Sequence, residues 1–385
     1  MKIVIAPDSF KESLSASAVA AALAEGLRLV LPQAEVVIVP MADGGEGTLE
    51  ALTRVKGARF VSAHVHDALG APVTARYGIL ADQRTAIFEV AEVIGLGTIA
   101  PESRSPLATS SYGVGEMMRA CLNGGLRRVV VGLGGSATVD GGAGMLQALG
   151  ARFFDAAGVE LPAPLTGRDL ADIATVDLSG LDARLADLAV DIACDVDNPL
   201  CGPTGAAAVF GPQKGASPSD VMRLDRDLRR LFDLLEDACG RQVADCAGAG
   251  AAGGLGAALL LVLHANLQPG VEMVMAATGL KEAISGALLV VTGEGRVDEQ
   301  TLFGKAPAGV ARLARLLGVP VIAVGGSLMA VERLWQSGLF DAVEAAVSHP
   351  CSMPEALRDA HCNLVDAGIR IGMWLKLSFR VHQLL

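Results

Sequence analysis

The chain has few aromatic residues, few lysines and no paired cysteine motif, and each shortage excludes a class of protein. Aromatic residues make up 4% of the 385 residues, and 31 Lys and Arg stand against 42 Asp and Glu, a formal net charge of −11. Because no basic run is interleaved with aromatic residues, we expect no nucleic-acid partner. The seven cysteines form neither a Cys-x-x-Cys pair nor the Cys/His spacing of a zinc site, which is typical of a protein in the reducing cytoplasm.

Signals for export and for membrane insertion are also missing. Residues 1–8 turn polar too early for a signal peptide. The longest apolar stretch, residues 247–263, carries five glycines in its first ten residues, so we predict a glycine loop that opens a buried helix rather than a membrane span. We therefore expect no membrane partner, whereas assembly with identical chains stays open.

Three common enzyme motifs are absent as well. The pattern G-x-x-x-x-G-K-[S/T] does not occur, which argues against a P-loop kinase. The first predicted strand is not followed by G-x-G-x-x-G, which argues against a simple nicotinamide-binding Rossmann domain. No G-x-S-x-G elbow occurs and the six histidines form no convincing triad, so a hydrolase has little support.

Apolar residues are abundant, at 51% against 19% charged residues, and 385 residues suffice for about two domains. Apolar strand patterns alternate with helical patterns at both ends of the chain; the strands are predicted at 2–6, 35–39, 287–292 and 319–324, and the helices at 20–31 and 306–317. This alternation predicts parallel sheet with covering helices. We predict an α/β protein in which residues 1–65 and 286–385 build one discontinuous parallel-sheet domain, and residues 66–285 form a large inserted mixed α/β domain.

The middle of the chain has weaker signals. Val73–Ile79 and Thr85–Val90 alternate around a polar turn and predict an antiparallel hairpin. At the other end, residues 376–385 belong to an apolar tail for which a docked helix and a frayed end both stay open.

The most informative segment is a glycine-rich loop, residues 133–144, which lies between a β-branched run and an apolar helical stretch. A strand, a glycine loop and a helix together favour anion binding, because backbone N–H groups approach the ligand closely and the helix N-terminus adds a positive dipole end. A tight turn without a ligand is the alternative. The candidate phosphate- or nucleotide-binding residues in this loop are Gly134, Gly135, Ser136, Thr138, Gly141 and Gly142.

Further charged residues follow the predicted strands, where open parallel sheets bind ligands. These residue types fit phosphoryl transfer, which requires N–H cradles, point positive charges, carboxylates for Mg²⁺ and a group that orients the attacking hydroxyl. A cleft between two domains would bring them together. The candidate cations are Lys11, Lys214, Arg296 and Lys305, and the candidate metal ligands or bases are Asp8, Asp43, Asp195, Glu294 and Asp298.

Taken together, these motifs resemble the type I bacterial glycerate kinases over about residues 1–375. The resemblance rests on segments in family order: residues 5–16, 42–48, 134–142, 194–200, 210–215, 250–254 and 292–300. Val139 departs from the family, which commonly has asparagine there, and Tyr112 interrupts a Thr-Ser-x-Gly-x-Gly-Glu motif at residues 109–116. The Val139 departure puts a ligand contact at that position in doubt.

The resemblance implies ATP- and Mg²⁺-dependent phosphorylation of D-glycerate, with 2-phosphoglycerate as the product in most members. It also implies a flavodoxin-like domain made of both termini and an inserted α/β domain that closes over an active-site cleft. From position and residue type we assign the roles. Catalysis is assigned to Asp195, Lys11 and Asp8, phosphate binding to Lys214 with the glycine loop, substrate binding to Ser9, Asp43, Arg296 and Asp298, and metal binding to Glu294 and Asp8.

Three alternatives remain open at this point. A glycerate 3-kinase differs only in which hydroxyl is placed for attack. A nicotinamide-dependent hydroxy-acid dehydrogenase could use a similar sheet. A non-enzymatic organic-acid-binding protein is disfavoured by the acidic loops, because a simple binder needs fewer carboxylates near an anionic ligand.

Overall fold

The structure, a computed structural model, describes residues 1–42, 47–53 and 57–382. Contacts divide the chain into two compact units. The first unit comprises Met1–Asp43, Glu50–Arg54 and Val271–Leu385, and the second unit comprises Gly44–Leu49 and Val55–Gly270. The domain boundaries predicted after residues 65 and 285 stay a prediction.

Strands and helices are spread over both units. The strands are β1 (Lys2–Ile5), β2 (Glu35–Ile38), β3 (Arg59–His66), β4 (Pro72–Ile79), β5 (Thr85–Glu89), β6 (Arg128–Gly132), β7 (Arg152–Phe154), β8 (Thr175–Asp177), β9 (Ala189–Ala193), β10 (Asn266–Gln268), β11 (Leu289–Val297), β12 (Val321–Leu328) and β13 (Ala342–Ala345). The helices are α1 (Ala16–Val30), α2 (Thr48–Thr53), α3 (Ala91–Ile94), α4 (Tyr112–Asn123), α5 (Ala143–Ala148), α6 (Ala206–Phe210), α7 (Pro218–Cys239), α8 (Leu255–Val262), α9 (Gly270–Thr278), α10 (Leu280–Ile284), α11 (Ala306–Leu316), α12 (Val331–Gln336), α13 (Met353–Arg358) and α14 (Ala360–His382).

The first unit is built on a fully parallel sheet with the strand order β13-β12-β11-β1-β2. Ile3, Val4 and Ile5 have no exposed surface, as expected for a parallel strand that is covered on both faces. The chain places β2 on one side of β1 and β11 on the other, so the strand order reverses there. If the five strands of this sheet are numbered 1 to 5 in chain order, the sheet has the strand order 2-1-3-4-5 of flavodoxin-like proteins. This order confirms the predicted fold class.

Helix α14 packs along α1 in the first unit. Leu23 and Leu27 of α1 and Leu364 of α14 are fully buried in one apolar cluster. The described part of the apolar tail, up to His382, continues α14 as helix.

The second unit contains a six-stranded sheet with the order β10-β9-β6-β5-β4-β3 and a separate antiparallel pair, β7 and β8. Strands β10, β9, β6 and β5 are parallel, and β4 and β3 are antiparallel. The predicted hairpin is confirmed, because Gly78 pairs with Ile87 and Ile79 with Ala86.

The apolar stretch at 247–263 folds as expected. A 3₁₀ helix, Ala251–Gly254, leads into α8, in which Leu255 to Leu261 are buried. In the described ranges, no helix has both the length and the apolar character needed to cross a membrane.

Candidate active site

Three segments at the carboxyl ends of strands, residues 8–11, 293–298 and 325–327, lie together at one edge of the first unit's sheet. The N–H of Asp8 donates to the carbonyl oxygen of Gly293 at 2.8 Å. An ideal Cβ on Gly326 would lie 2.6 Å from the carbonyl oxygen of Gly295, so the two backbones approach too closely for a side chain. The strand order reverses between β1 and β11, and in open α/β sheets this reversal forms the ligand-binding crevice.

Lys11 and Arg296 provide positive charge at this crevice. Both side chains are exposed. An ideal Cβ on Gly295 would lie 3.5 Å from the backbone nitrogen of Lys11, so the loop after β1 lies in van der Waals contact with the strand that carries Arg296. The structure therefore brings the backbone at Lys11 next to the strand that carries Arg296, and these are two of the three cations predicted for this unit.

The carboxylate of Glu294 is buried beside them. Glu294 is 9% exposed. Its Oε1 accepts a hydrogen bond from Thr301 Oγ1 at 2.7 Å, and its Oε2 accepts one from Lys305 Nζ at 3.0 Å. Both oxygens of the predicted metal ligand therefore already have donors.

The other predicted residues of the first unit have differing surroundings. Asp8 is 6% exposed, and its Oδ1 accepts from the N–H of Ser9 at 2.6 Å. Asp298 caps the 3₁₀ helix Glu299–Leu302, because its Oδ1 accepts from the N–H of Gln300 at 2.8 Å. Asp43 lies outside the described residues. Substrate binding by Ser9, Asp298 and Asp43 stays a prediction.

In the second unit, the glycine-rich loop follows β6 as predicted. Gly134 and Gly135 are exposed, and Gly135 has φ +74°. Within the described ranges, the backbone N–H groups of Gly134, Gly135 and Ser136 donate to no other protein group. Successive N–H groups of this kind at the carboxyl end of a strand can bind an anion.

The buried side chain of Lys214 is hydrogen-bonded to this loop. The side chain is only 3% exposed, and Nζ donates to Ser136 Oγ at 3.0 Å and to the carbonyl oxygen of Thr138 at 2.8 Å. Lys214 therefore contacts the predicted phosphate loop, and its action on a ligand would pass through Ser136.

Asp140, inside the loop, has no exposed surface and ties it to the start of α4. Its carboxylate accepts hydrogen bonds from the N–H and Oγ of Ser111, both at 2.7 Å, and from the N–H groups of Gly142 and Gly144. Burial raises the pKa of Asp140, and these hydrogen bonds oppose the rise. Asp140 and Ser111 thus fix the loop's shape.

The rest of the loop is buried by packing. Gly141 lies against side chains of α7, and Gly142 lies against α8. Thr138 has no exposed surface, and its Oγ1 has no hydrogen-bond partner in the described part of the chain. Phosphate binding by these three residues stays a prediction, and the exposed segment Gly134–Gly135 is the part that a ligand reaches directly.

Asp195 lies at the same sheet edge as this loop. Strand β9 runs parallel to β6, with Ala193 paired to Gly132, so the residues that follow both strands emerge side by side. Asp195 is exposed, and its Oδ1 accepts from the N–H of Gly270 at 3.0 Å. An exposed carboxylate in this position can orient a hydroxyl group.

The buried ammonium of Lys214 predicts pH-dependent stability. Burial lowers the pKa of Lys214 to about 7, although Asp140 acts to raise it, whereas an unfolded lysine has a pKa of about 10.4. Between these values the unfolded state binds more protons, so Lys214 costs stability at low pH and this cost is relieved as the pH rises. We expect the unfolding free energy of the wild type, relative to Lys214→Met, to increase by about 2 kcal/mol from pH 7 to pH 9.

Urea denaturation followed by circular dichroism at each pH measures this difference. A difference that stays constant with pH would mean that Asp140 keeps the Lys214 ammonium charged up to pH 9.

The donors for Mg²⁺ differ in suitability. Mg²⁺ in phosphate-transfer enzymes takes one or two carboxylates in addition to substrate phosphates and water. Among the described residues, no three His, Cys, Asp or Glu side chains cluster as a metal site. Asp8 lies at the crevice and fits the role of a single carboxylate ligand. Glu294 could also bind the ion through a second lone pair, although Lys305 already neutralises part of its charge.

Sequence reasoning did not find Thr301 and Ser111, and it named Lys305 only as a source of charge. Thr301 is seven residues from its partner Glu294, and Ser111 is 29 residues from Asp140. No local pattern marks either pair. The only local indication that Lys305 belongs to a site is that it lies in a loop between a glycine and a proline.

The chain is similar to known proteins over almost its whole length. It matches the family model "Glycerate kinase family" over residues 3–376. It is 46% identical over 381 residues to the glycerate 2-kinase of Escherichia coli K12, with 99% of each chain covered. It is 44% identical over 373 residues to a glycerate kinase of Halalkalibacterium halodurans, covering 96% of this chain and 97% of that one.

A solved structure gives the same result. The putative glycerate kinase 2 from Salmonella typhimurium LT2 matches with a TM-score of 0.87 and 45% sequence identity, and 99% of each chain is covered. The similarity therefore spans both units.

Proposed function

This chain belongs to the glycerate kinase family, and we propose that it transfers the terminal phosphoryl group of ATP to the 2-hydroxyl of D-glycerate in the presence of Mg²⁺. That it is an enzyme that phosphorylates glycerate follows from the family. The nucleotide, the metal and the 2-position are the proposal, and the name of the Escherichia coli relative, a glycerate 2-kinase, supports the 2-position.

The observation that carries the proposal is the meeting of Asp8, Lys11 and Arg296 at the strand reversal of the first unit. Phosphoryl transfer is catalysed mainly by positioning and by charge stabilisation. We assign Lys11 to the phosphoryl group, because an ammonium is a compact point charge. We assign Arg296 to the glycerate carboxylate, because the planar guanidinium can bind a carboxylate with two parallel hydrogen bonds.

The second unit provides groups of a different kind. The N–H groups of Gly134, Gly135 and Ser136 suit phosphate oxygens, since backbone donors in a glycine loop cost no reorganisation when a ligand binds. Lys214 keeps Ser136 and the Thr138 carbonyl in place. We assign Asp195 to orienting the attacking hydroxyl of glycerate and accepting its proton, as the catalytic carboxylate does in kinases.

Asp8 is the described carboxylate that best fits Mg²⁺. When bound, Mg²⁺ neutralises charge on the phosphates during transfer. Asp8 is held by the N–H of Ser9 and by the backbone contact of its own N–H with Gly293, so its carboxylate is oriented before any ligand arrives.

A single experiment tests the reaction and the position of transfer. Purified protein is incubated with D-glycerate, ATP and Mg²⁺, and the product is identified by phosphorus NMR. We expect 2-phosphoglycerate and ADP in equal amounts, and no product when EDTA removes the metal.

The outcomes separate the alternatives. Formation of 3-phosphoglycerate would refute the proposed position, and ADP release that persists in EDTA would refute the proposed metal. Reduction of NAD(P) with glycerate in the absence of ADP release would contradict the kinase activity itself.

A further inference from the structure

Glu294 and Lys305 form an ion pair at the carboxyl end of β11. The Lys305 side chain is 32% exposed and the Glu294 side chain is 11% exposed. In the described ranges, the Lys305 ammonium has one hydrogen bond, to Glu294 Oε2. Two of its three N–H donors are therefore available to a ligand, whereas Thr301 and Lys305 engage both oxygens of Glu294.

We propose that Lys305 is a catalytic residue that contacts the γ-phosphoryl group of ATP during transfer, and that Glu294 is the positioning residue that holds the Lys305 ammonium. This inference rests on the proposed kinase reaction. In protein kinases a glutamate holds the phosphate-contacting lysine in the same physical way, by an ion pair that must be formed for catalysis.

Stability alone does not account for this pair. Burying a carboxylate costs desolvation energy, and apolar residues of similar volume often stabilise a protein as well as a buried ion pair does. Here the lysine is partly accessible and its partner is almost buried, so the pair presents one oriented cation. This asymmetry is suited to binding an anion.

The location also fits phosphate chemistry. Lys305 immediately precedes α11, an eleven-residue helix, and the positive end of a helix dipole favours anions. Glu294 follows the backbone contact between β11 and the Asp8 loop, at the reversal of strand order. The lysine, the helix start and the crevice therefore coincide in the first unit.

Arg296 on β11 and Lys305, just before α11, differ in the anions that they can recognise. Arg296 is two residues beyond Glu294, so both point to the same face of the strand. The Arg296 guanidinium matches a planar carboxylate, whereas the Lys305 ammonium can follow a phosphoryl group whose geometry changes during transfer. The reaction contains a carboxylate and a transferring phosphoryl group, and the Lys305 ammonium suits the phosphoryl group, as the Lys11 ammonium does.

Nucleotide binding tests the contact without relying on turnover. Calorimetry measures the Kd of ATP and of ADP, without glycerate, for the wild type and for Lys305→Met. We expect the Kd of ATP to rise about 10-fold and the Kd of ADP to stay unchanged, because only ATP has the γ-phosphoryl group. If Lys305→Met weakens the binding of ATP and ADP equally, or weakens neither, the proposed contact between Lys305 and the γ-phosphoryl group is refuted.

The control is Lys281→Met, which removes an exposed lysine from α10. This variant should bind both nucleotides as the wild type does. Lys305→Arg keeps the positive charge but replaces the compact ammonium with a planar guanidinium. We expect this variant to bind ATP more tightly than Lys305→Met and less tightly than the wild type.

A double-mutant cycle tests the role of Glu294. We expect Lys305→Met to lower kcat about 10²-fold and Glu294→Gln to lower it about 10-fold, and the double variant should be no slower than Lys305→Met. The Mg²⁺ concentration for half-maximal activity should be the same in Glu294→Gln and in the wild type.

A metal ligand would behave differently. If Glu294 binds Mg²⁺, Glu294→Gln raises the Mg²⁺ requirement and the two losses in kcat multiply, which refutes the positioning role. Glu299→Gln, which alters an exposed glutamate paired with Arg333, controls for loss of an ion pair as such. A wild type that forms no 2-phosphoglycerate would refute the proposed function, whereas an active wild type with independent losses would refute only this inference.

Discussion

Replacing Lys11 with alanine should lower the kcat of glycerate phosphorylation by about 10²-fold or more, which is the usual loss when one electrostatic stabiliser of a transition state is removed. Lys11 follows β1 and lies beside Gly295 at the strand reversal. Its exposed ammonium is assigned to charge that develops on the phosphoryl group, so the effect should fall on kcat more than on the KM for glycerate. Steady-state assays of ADP release measure both constants.

The fold of the Lys11 variant should be unchanged, because exposed substitutions usually alter stability by less than about 0.5 kcal/mol. Lys281→Ala is the matched control, since it removes another exposed lysine of the first unit. Wild-type kcat in Lys11→Ala would exclude Lys11 from the mechanism and leave Lys305 as the cation for the phosphoryl group.

Much of the first unit was predictable because its signals are local. An apolar run such as residues 2–6 indicates a buried strand, and the Pro7-Asp8 sequence ends it. Parallel strands align their carboxyl ends, so residues that follow different strands are expected at one edge. This reasoning correctly placed the loop at 8–11 next to the segment 293–298, although almost the whole chain separates them.

The second unit was harder to predict because its sheet depends on distant pairing. The β4–β5 hairpin has a local turn, in which Asp82 accepts hydrogen bonds from the N–H groups of Arg84 and Thr85. The pairing of β6 with β9 joins residues about 60 positions apart, and nothing in either strand specifies its partner. The sequence therefore predicts the glycine loop and names Asp195 as a candidate, but it does not show that the strands before them pair.

The sequence also could not show which polar atoms are already satisfied. Lys214, Glu294 and Asp298 have the residue types of a kinase site, and all three occur in segments that contain glycine. In the structure Lys214 bonds the loop from inside, Glu294 has donors on both oxygens, and Asp298 caps a short helix. These assignments depend on side-chain burial, which is set by packing between elements far apart in the chain.

The glycine at 253 is expected to be the most sensitive backbone position that packs against the glycine-rich loop at 133–144. Gly253 has φ +70°, and an ideal Cβ there would lie 1.9 Å from the carbonyl oxygen of Thr138. That carbonyl accepts the hydrogen bond from Lys214. Gly253→Ala combines left-handed strain with overpacking, and we expect it to lower the unfolding free energy of the second unit by about 4 kcal/mol. It should also weaken ATP binding, because the Thr138 carbonyl must shift.

The measurement has to report on the second unit. Both tryptophans, Trp335 and Trp374, lie in the first unit, so fluorescence is unsuitable and hydrogen exchange of peptides from β6 and α5 is used instead. Gly240→Ala is the matched control: Gly240 has φ +65°, but no atom lies within 4 Å of its ideal Cβ, so it should cost only about 1 kcal/mol of strain. Equal losses in the two variants would show that backbone strain, and not the contact with Thr138, explains the glycine at 253. A larger loss in Gly253→Ala, together with weaker ATP binding, would link the packing of this turn directly to the anion-binding loop.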